Sequence, residues 1–378
     1  MKNLFYLLYA FFFNISRIFP VKDTKVAFLA PHNGGDGDSL GVMRSFIEEK
    51  GGYETVFIST NDLKLDFSGL MPLVKSCLKA AGFFTLKAKA LATSKYVFMN
   101  DNFMPMAKLK FSKKAVITQL WHAEGAFKKF GLSAPLTDEI REREKRCSAR
   151  LDYVICTSKN IAPIYAEAFG VDIEKVLPLG SPRTDTLLAK NADTVRAEFD
   201  KAHPECKGKS LVLYAPTFRD SAEKDSTLLE KIDVRAFNEA FGGEKILLTK
   251  LHPQINSSKP VSGAIDVTKS HDIGDLTLIC DSVITDYSSV CMDFALLLKP
   301  CFFYAFDLEE YEDERSFYFD YENYVPGQVA KTPNELIQAI KNPRNGEAKL
   351  RRFREFNFDY TDRNNAQRIY NAVFKANS

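Results

Sequence analysis

The hydrophobic residues of this chain fall into short runs, each followed by a turn and then by a longer amphipathic or charged segment. Short apolar runs are typical of buried β-strands, and the longer segments between them are typical of helices. In the first half of the chain, strands are predicted at residues 25–30, 55–59, 96–99, 115–120, 153–157 and 176–179. This alternation predicts a parallel sheet with helices on its two faces.

The second half of the chain repeats the pattern. Strands are predicted there at residues 211–215, 246–251, 264–267, 282–285 and 301–304, after a polar stretch at 190–209. We therefore predict an α/β fold with two doubly wound Rossmann-type domains that face a cleft. The predicted bounds are an apolar helix at 1–20, an N-terminal domain at 21–195, a C-terminal domain at 196–348, and charged helices at 349–378 that pack back across the domain boundary.

The first residues differ from the rest of the chain, because residues 4–13 read LFYLLYAFFF and are apolar on every side. A run of this length is too short for a transmembrane helix, which needs about 20 apolar residues. No small-residue cleavage site follows it, which argues against a signal peptide. The helix either packs against the protein's own core or lies in the membrane interface, and its many aromatic residues favour the interface.

A cluster of lysines at residues 108–114 is either a solvated face or a surface that attracts phosphate or anionic lipid. Acting together, the helix and the lysines would hold the protein at the cytoplasmic face of the cell membrane as a peripheral protein. The residues predicted to contact the membrane are Leu4, Phe5, Leu8, Phe12, Lys108, Lys110, Lys113 and Lys114.

The composition is that of an ordinary globular protein, with 45% hydrophobic and 26% charged residues among 378. The net charge of +2 gives no extended basic face, so nucleic-acid binding is not expected. The seven cysteines show no CxxC pair or zinc spacing, which indicates a reducing, cytoplasmic compartment. No carboxylate cluster has metal spacing, so no cofactor is expected, although Mg²⁺ held mainly by water and phosphate stays open.

Polar residues with chemical capability follow at least four of the predicted strands, where ligands of such sheets bind. They are Trp121-His122, Thr217 with Arg219, His252-Pro253, and the segment 286–289. Asp286, Ser288 and Ser289 precede an apolar helix predicted at 290–298, so they either cap that helix or hold a phosphate at its start. Arg219 is either a phosphate clamp or a structural residue.

Five motifs, in this order, carry a resemblance to a known family. They are QLWHAEGAFKKFG at 119–131, GSPRTD at 180–185, YAPTFR at 214–219, KLHP at 250–253, and VITDYSSVCMDFALLLKPCFFYAFDLEEY at 283–311. Over roughly residues 110 to 345 the chain resembles the CDP-glycerol glycerophosphotransferase family, which builds teichoic acids and related polymers. The resemblance implies a GT-B-like architecture, in agreement with the two predicted domains.

One departure from the family pattern points to a subtype. The polymerase form of the first motif reads WHG followed by Thr-Pro, whereas this chain has His122-Ala123-Glu124-Gly125. This variant, the short length and the absence of an added helical membrane domain look more like the primases. Those enzymes attach the first glycerol phosphate to a polyprenyl-diphosphate-linked disaccharide.

The resemblance also implies a mechanism, in which an acceptor hydroxyl attacks the β-phosphorus of CDP-glycerol and CMP leaves. His122 is the expected general base. His252 is expected either to contact the pyrophosphate and ribose of the donor or to protonate or stabilise the departing phosphate. Trp121 would then be a packing wall that orients the His122 loop. The substrate-binding residues carried over from the motifs are Arg183, Thr217, Arg219, Asp286, Ser288 and Ser289.

Three alternatives to a primase stay open on the sequence. The first is a polyol-phosphate polymerase that uses CDP-glycerol or CDP-ribitol. The second is a GT-B glycosyltransferase that uses a nucleotide sugar. The third is a catalytically silent nucleotide-binding or assembly protein of the same fold.

Overall fold

A computed structural model of the chain describes residues 2–31, 35–219, 224–225, 228–251, 262–343 and 346–376. The described chain forms two α/β units, each built on a parallel six-stranded sheet. Unit 1 comprises Met1–Gly125, Phe130–Leu188 and Asp362–Ser378, and unit 2 comprises Ala126–Lys129 and Ala189–Thr361. The predicted parallel sheets flanked by helices are confirmed.

The sheet of unit 1 has the strand order β2-β1-β3-β4-β5-β6. Its strands are β1 (Lys22–Ala30), β2 (Glu54–Ser59), β3 (Ser94–Met99), β4 (Val116–Gln119), β5 (Tyr153–Cys156) and β6 (Val176–Pro178). The helices of the unit are α1 (Lys2–Ser16), α2 (Ser39–Lys50), α3 (Leu70–Gly82), α4 (Ala88–Ala92), α5 (Asp138–Ser148), α6 (Ala162–Phe169) and α7 (Pro182–Ala189). Because every pair is parallel, the residues that follow β3 and β4 meet at one edge of the sheet.

The sheet of unit 2 has the order β12-β11-β10-β7-β8-β9. Its strands are β7 (Ser210–Tyr214), β8 (Lys245–Thr249), β9 (Ile265–Asp266), β10 (Ser282–Thr285), β11 (Cys301–Tyr304) and β12 (Gln328–Ala330). The helices are α8 (Ala192–Ala202), α9 (Val234–Phe241), α10 (Ile273–Ile279), α11 (Val290–Leu296), α12 (Leu308–Glu314), α13 (Tyr321–Tyr324), α14 (Pro333–Lys341) and α15 (Gly346–Asn357). The order places the carboxyl ends of β7, β10 and β11 side by side.

The last helix of the described chain, α16 (Asn365–Tyr370), returns to unit 1. It continues into a π-helical turn, and Ile369, Val373 and Phe374 are fully buried in the same core as Phe28 and Phe98 of the sheet. The carboxylate of Asp185 accepts hydrogen bonds from the first backbone N–H groups of this helix. The core of unit 1 is therefore completed by residues that follow all of unit 2.

Helix α1 is buried along one side only. Tyr9 and Phe13 are fully buried, and Tyr9 packs edge-on against Phe103 at a centroid distance of 5.0 Å. On the opposite side Leu4 is 70% exposed and Phe11 is 58% exposed. The interpretation as a helix packed on the protein's own core thus holds for the buried face, and membrane contact of the exposed face stays a prediction. No helix in the described residues is long and apolar enough to cross a membrane.

Two local details differ from the sequence-based predictions. Strand β12 was not predicted, because its three residues are too few to give a hydrophobic pattern. Helix α11 begins after Ser289, whose side chain makes no capping hydrogen bond, and Asp286 does not cap the helix either. Instead the Asp286 carboxylate accepts hydrogen bonds from Arg219 and from the backbone of Thr217.

Candidate active site

The loop after β4 presents His122 at the carboxyl edge of the first sheet. Trp121, directly before it, has a backbone φ of 58°, in the left-handed region that bulky residues rarely adopt. The side chain of Gln119 accepts a hydrogen bond from the Trp121 backbone N–H at 3.0 Å, which helps to hold this turn. The Trp121 ring packs against His122 at a centroid distance of 4.1 Å and against Phe130 at 4.9 Å. The tryptophan therefore forms a wall on one side of the histidine.

The imidazole of His122 is held by groups at the end of the neighbouring strand β3. Its Nδ1 lies 3.2 Å from the backbone oxygen of Asn100 and 3.7 Å from Oδ2 of Asp101. Because a carbonyl oxygen only accepts hydrogen bonds, Nδ1–H is the donor and Nε2 keeps its lone pair. The side chain is 50% exposed. This arrangement can take a proton from a hydroxyl group.

Glu124 and Arg183 fix the rest of the His122 loop. Both oxygens of the buried Glu124 carboxylate accept hydrogen bonds from Arg183, and Ser181 donates to the same carboxylate at 2.9 Å. Burial on its own raises the pKa of Glu124, but the Arg183 guanidinium and these hydrogen bonds outweigh it, so the pKa lies below the usual value. Directly before Ser181, Gly180 has a φ of 89° and lets the side chain of Asn365 approach the backbone. A Cβ at this position would lie 1.9 Å from Oδ1 of Asn365.

In unit 2 the predicted residues Arg219 and Asp286 form a buried ion-pair network. The guanidinium donates to Asp286 at 2.9 Å and to both oxygens of Asp307, at 2.9 and 3.1 Å. A further hydrogen bond, of 2.6 Å, goes to the backbone oxygen of Thr217. Burial lowers the pKa of Arg219, but the two carboxylates reverse the effect and raise it, so the group stays charged. Here the guanidinium holds β7, β10 and β11 in position, and its contact with a phosphate stays a prediction.

Three hydroxyl groups follow the carboxyl ends of β7 and β10. Oγ1 of Thr217 is buried and has no hydrogen-bond partner among the residues that the structure describes. Ser288 is half-buried, and its hydroxyl accepts a hydrogen bond from the N–H of Val290 at 3.3 Å. Ser289 is exposed at the start of α11. The Ser288 and Ser289 hydroxyls are accessible to a ligand that approaches the strand ends of unit 2, whereas Oγ1 of Thr217 lies buried beneath the surface.

Lys128 belongs to the same cluster, although it lies in the same sequence motif as His122. Residues 126–129 are part of unit 2, where Lys129 N–H donates to the backbone of Ser316. Nζ of Lys128 donates to the hydroxyl of Tyr311 at 3.2 Å. Burial lowers the pKa of this lysine to about 8; Asp286 opposes that effect, and Arg315 and Arg219 add to it. A partly buried cation of this kind can hold an anionic ligand.

Of the predicted site residues, His252 lies outside the described residues. The additional residues are Asp101 and Glu124 beside His122 in unit 1, and Lys128 and Asp307 beside Arg219 in unit 2. Asp101 and Asp307 each follow closely after a strand, so the rule that led to His122 and Arg219 would also have found them. No group of three potential metal ligands occurs within the described ranges.

Comparison with known sequences identifies relatives along nearly the whole chain. The sequence profile of the family described as CDP-Glycerol:Poly(glycerophosphate) glycerophosphotransferase matches residues 11–375. The chain is 34% identical to the teichoic acid ribitol-phosphate primase of Bacillus spizizenii over 293 residues, which cover 74% of each chain. It is 30% identical to the teichoic acid glycerol-phosphate primase of Bacillus subtilis over 299 residues, covering 76% of each. A teichoic acid poly(ribitol-phosphate) polymerase of Bacillus spizizenii matches 97% of this chain at 31% identity, but the chain spans only 58% of that relative.

Among solved structures, the wall teichoic acid polymerase TagF resembles this chain with a TM-score of 0.79 at 23% identity. The match covers 98% of this chain and 92% of the other. A variant of the same polymerase soaked with CDPG gives a TM-score of 0.78 at 24% identity, covering 98% and 93% of the two chains. These likenesses show the fold, and the predicted GT-B-like architecture is confirmed.

Proposed function

Because the chain belongs to the CDP-glycerol glycerophosphotransferase family, we propose that it transfers glycerol phosphate from CDP-glycerol to a hydroxyl group of a polyprenyl-diphosphate-linked disaccharide. Family membership confirms the resemblance and the predicted class of enzyme, a CDP-polyol phosphotransferase. The polyol, the acceptor and the number of additions are our proposal.

The geometry of His122 is the observation that carries the proposal. A phosphodiester forms when the acceptor oxygen attacks the β-phosphorus of the donor and the bond from that phosphorus to the bridging oxygen breaks. The acceptor proton passes to Nε2 of His122, and the bridging oxygen leaves with CMP. Asn100 and Asp101 hold the ring through Nδ1 and stabilise the imidazolium that results.

The charge of the donor diphosphate needs cations and hydrogen-bond donors on the side of unit 2. Lys128 supplies a cation, and Thr217, Ser288 and Ser289 supply hydroxyl groups. Arg219, whose donors are directed at Asp286 and Asp307, is neutralised by these carboxylates and holds in position the strand ends that present the hydroxyl groups. His252 is proposed to lie on the leaving-group side, and Arg183 to act through Glu124 on the His122 loop.

CDP-ribitol is a second candidate for the donor. The observation that favours it is the identity to the ribitol-phosphate primase, 34%, against 30% for the glycerol-phosphate primase of Bacillus subtilis. The number of additions depends on whether the protein accepts an acceptor that already carries a polyol phosphate. The His122-Ala123-Glu124 form of the motif favours a single addition, as in a primase.

The membrane surface is the proposed location of this reaction, on its cytoplasmic side. The exposed face of α1, with Leu4 and Leu8, is suited to the interface, and Phe5 and Phe12 lie half-buried beside it. Asn14 at the end of α1 bonds to the backbone of Lys108 and Lys110, so the lysine segment lies next to this face. The exposed Lys108, Lys110, Lys113 and Lys114 would attract anionic lipid.

The deciding experiment follows CMP release and product mass with purified protein, CDP-glycerol or CDP-ribitol, and a lipid-linked disaccharide. We expect one polyol phosphate per acceptor, and His122→Ala should lower kcat by ~10²–10⁴-fold. His203→Gln is the matched control, because this histidine is also paired with a carboxylate, Glu205 at 3.5 Å, and has no role in the proposal.

Absence of CMP release with both donors would refute the proposed activity and return the nucleotide-sugar transferase and the silent binding protein to consideration. Full activity of His122→Ala would refute the role of the histidine while leaving the activity itself intact.

A further inference from the structure

Two adjoining pockets lie beside the His122 loop in unit 1. The first, which we call the Trp121 pocket, has a volume of 330 Å³ and is lined by Phe5, Phe103 and Trp121 together with the carboxylates of Asp101 and Glu144. The second, the Arg143 pocket, has a volume of 430 Å³ and contains Lys108, Arg143 and Arg146. Both volumes lie within the ~300–1,000 Å³ of small-ligand sites.

The Trp121 pocket combines aromatic walls with negative charge. Oδ2 of Asp101 also lies 3.7 Å from Nδ1 of His122, so this pocket borders the Nδ1 side of the imidazole of the proposed base. No lysine or arginine of the described chain lines the pocket. Burial, and then the nearby Asp101, raise the pKa of Glu144 above its usual value, so a further anion is disfavoured here. A neutral sugar fits this chemistry, since its hydroxyls donate to carboxylates and its ring packs on aromatic faces.

The Arg143 pocket has the opposite character. Its three cations face two carboxylates, Glu139 and Glu142, which leaves it with a positive balance. The guanidinium of Arg143 lies 5.4 Å from the ring centre of Tyr6 and donates to Glu139 at 2.6 Å on the exposed side of α5. Arginine binds phosphate oxygens through paired hydrogen bonds, so a diphosphate is the expected ligand of this pocket.

Helix α1 connects the two pockets to the apolar surface. Tyr6 and Met104 line both pockets, and Leu7 lines the Arg143 pocket. The exposed Leu4 and Phe11 lie on the same helix. Starting from His122, the order is thus an acidic aromatic pocket, a basic pocket and an apolar helix face.

We propose that these pockets form the acceptor site, with the terminal neutral sugar in the Trp121 pocket, the diphosphate in the Arg143 pocket and the lipid chain along α1. The inference rests on the proposed function and specifies how its acceptor is recognised. It gives α1 a role in binding the acceptor as well as the membrane.

One consequence concerns the number of additions. After one transfer, the hydroxyl that reacts next lies beyond a phosphodiester, and that anion would enter the Trp121 pocket next to Asp101 and Glu144. Like charges repel, and the repulsion is stronger in a partly buried site. The wild-type protein should therefore prefer the unloaded acceptor over the singly loaded one by at least about tenfold in kcat/KM, a difference of about 1.4 kcal/mol in transition-state binding.

The test measures kcat and KM with three short-chain acceptors in detergent: the disaccharide diphosphate, the same compound bearing one polyol phosphate, and an alkyl glycoside of the disaccharide without phosphate. Arg146→Ala should raise KM for the diphosphate about tenfold and leave KM for the alkyl glycoside and the donor unchanged. Glu144→Gln should reduce the preference for the unloaded acceptor. Arg44→Ala is the control, because it also removes an arginine from a helix of unit 1 but lines neither pocket.

Several results would overturn the inference while the proposed function stood. They are equal use of loaded and unloaded acceptors by the wild type, no change in KM for the diphosphate in Arg146→Ala, or an equal rise for both the diphosphate and the alkyl glycoside. Since Arg146 is exposed, its substitution should leave the fold intact, and the melting temperature checks this. If the wild type releases no CMP with any acceptor, it is the proposed function that fails.

Discussion

The position of His122 depends on a backbone conformation that its neighbour adopts at a cost. Trp121 has a φ of 58°, and a bulky residue in the left-handed region is strained by about 1–3 kcal/mol. Stacking on Phe130, edge-on packing against Phe169 at 5.2 Å and the hydrogen bond from its N–H to Gln119 offset that strain. The single tryptophan of the chain thus sets the direction of the proposed base while packing in the core.

Trp121→Phe tests this relation between packing and direction. The phenylalanine keeps the strained backbone but loses part of the stack, so we expect a loss of about 1–2 kcal/mol in the free energy of unfolding. With the His122 ring less restrained, kcat should fall several-fold, while KM for the donor stays unchanged. Chemical denaturation and steady-state kinetics measure the two effects. A rise in KM for the donor at constant kcat would contradict the proposal that Trp121 orients the His122 ring.

Lys128 gives the reaction a predicted alkaline limit. Burial lowers its pKa to about 8, so the lysine is charged below that pH and neutral above it. If the charged form holds the donor diphosphate, kcat/KM for the donor should fall above pH 8, by up to about tenfold per pH unit. Lys128→Arg should shift this decline to higher pH, because arginine keeps its charge throughout the range. Its exposed neighbour gives the control, since Lys129→Arg should leave the profile unaltered.

At the scale of elements, α1 has two faces whose functions can be separated. Tyr9 and Phe13 pack on Phe103 and Phe111, so the buried face belongs to the core of unit 1. Leu4, Leu8 and Phe11 contribute to the exposed face. Deletion of the whole helix would remove both faces at once and would confuse loss of membrane binding with loss of stability.

We therefore predict different results for substitutions on the two faces. Replacement of Leu4, Leu8 and Phe11 by glutamine should weaken binding to anionic vesicles more than tenfold, because each apolar side chain that enters the interface contributes about 1 kcal/mol or more. The melting temperature should change little. Tyr9→Ala should instead lower the free energy of unfolding by about 3–5 kcal/mol. Unchanged sedimentation of the triple variant with vesicles would exclude α1 as the membrane contact.

The elements themselves were largely predictable from the sequence, and their contacts were not. The strands of both sheets appear as apolar runs because parallel strands are buried on both faces. Strand β12 was not predicted because it has three residues, of which only one is fully buried. The pairing of Arg219 with Asp307, 88 residues apart, and the contact of Asp101 with His122 depend on strand order, which periodicity does not encode.

The candidate site was therefore predictable as a set of residue types at strand ends. Which of them face a ligand and which hold the strands together was not predictable. Arg219 illustrates the limit: its position after β7 identified it, but only the structure shows that Asp286 and Asp307 occupy its guanidinium.

At the scale of the whole molecule, unit 1 depends on a segment distant in sequence. Ile369, Val373 and Phe374 fill the core beside β1 and β3, and Asp185 accepts hydrogen bonds from the start of α16. Truncation after Thr361 should abolish the cooperative unfolding of unit 1. It removes several large side chains from one core, and each of them contributes about 2–5 kcal/mol to the free energy of unfolding. Hydrogen exchange should then show loss of protection in β1 and β3 and retained protection in β7 and β10. Removal of residues 375–378 is the control, since the buried side chains stay.

Because unit 1 includes a segment that follows unit 2 in the chain, the order of synthesis affects the order in which the two units can fold. Synthesis runs from the first residue to the last, and domains ordinarily fold in that order. Here all of unit 2 has been synthesised before α16 appears, so the unit encoded later can close first. Until α16 docks, strands β1 and β3 of unit 1 lack their last packing partners. A nascent chain in that state exposes apolar surface to which chaperones can bind, so the first unit to be made is the last to be protected from aggregation.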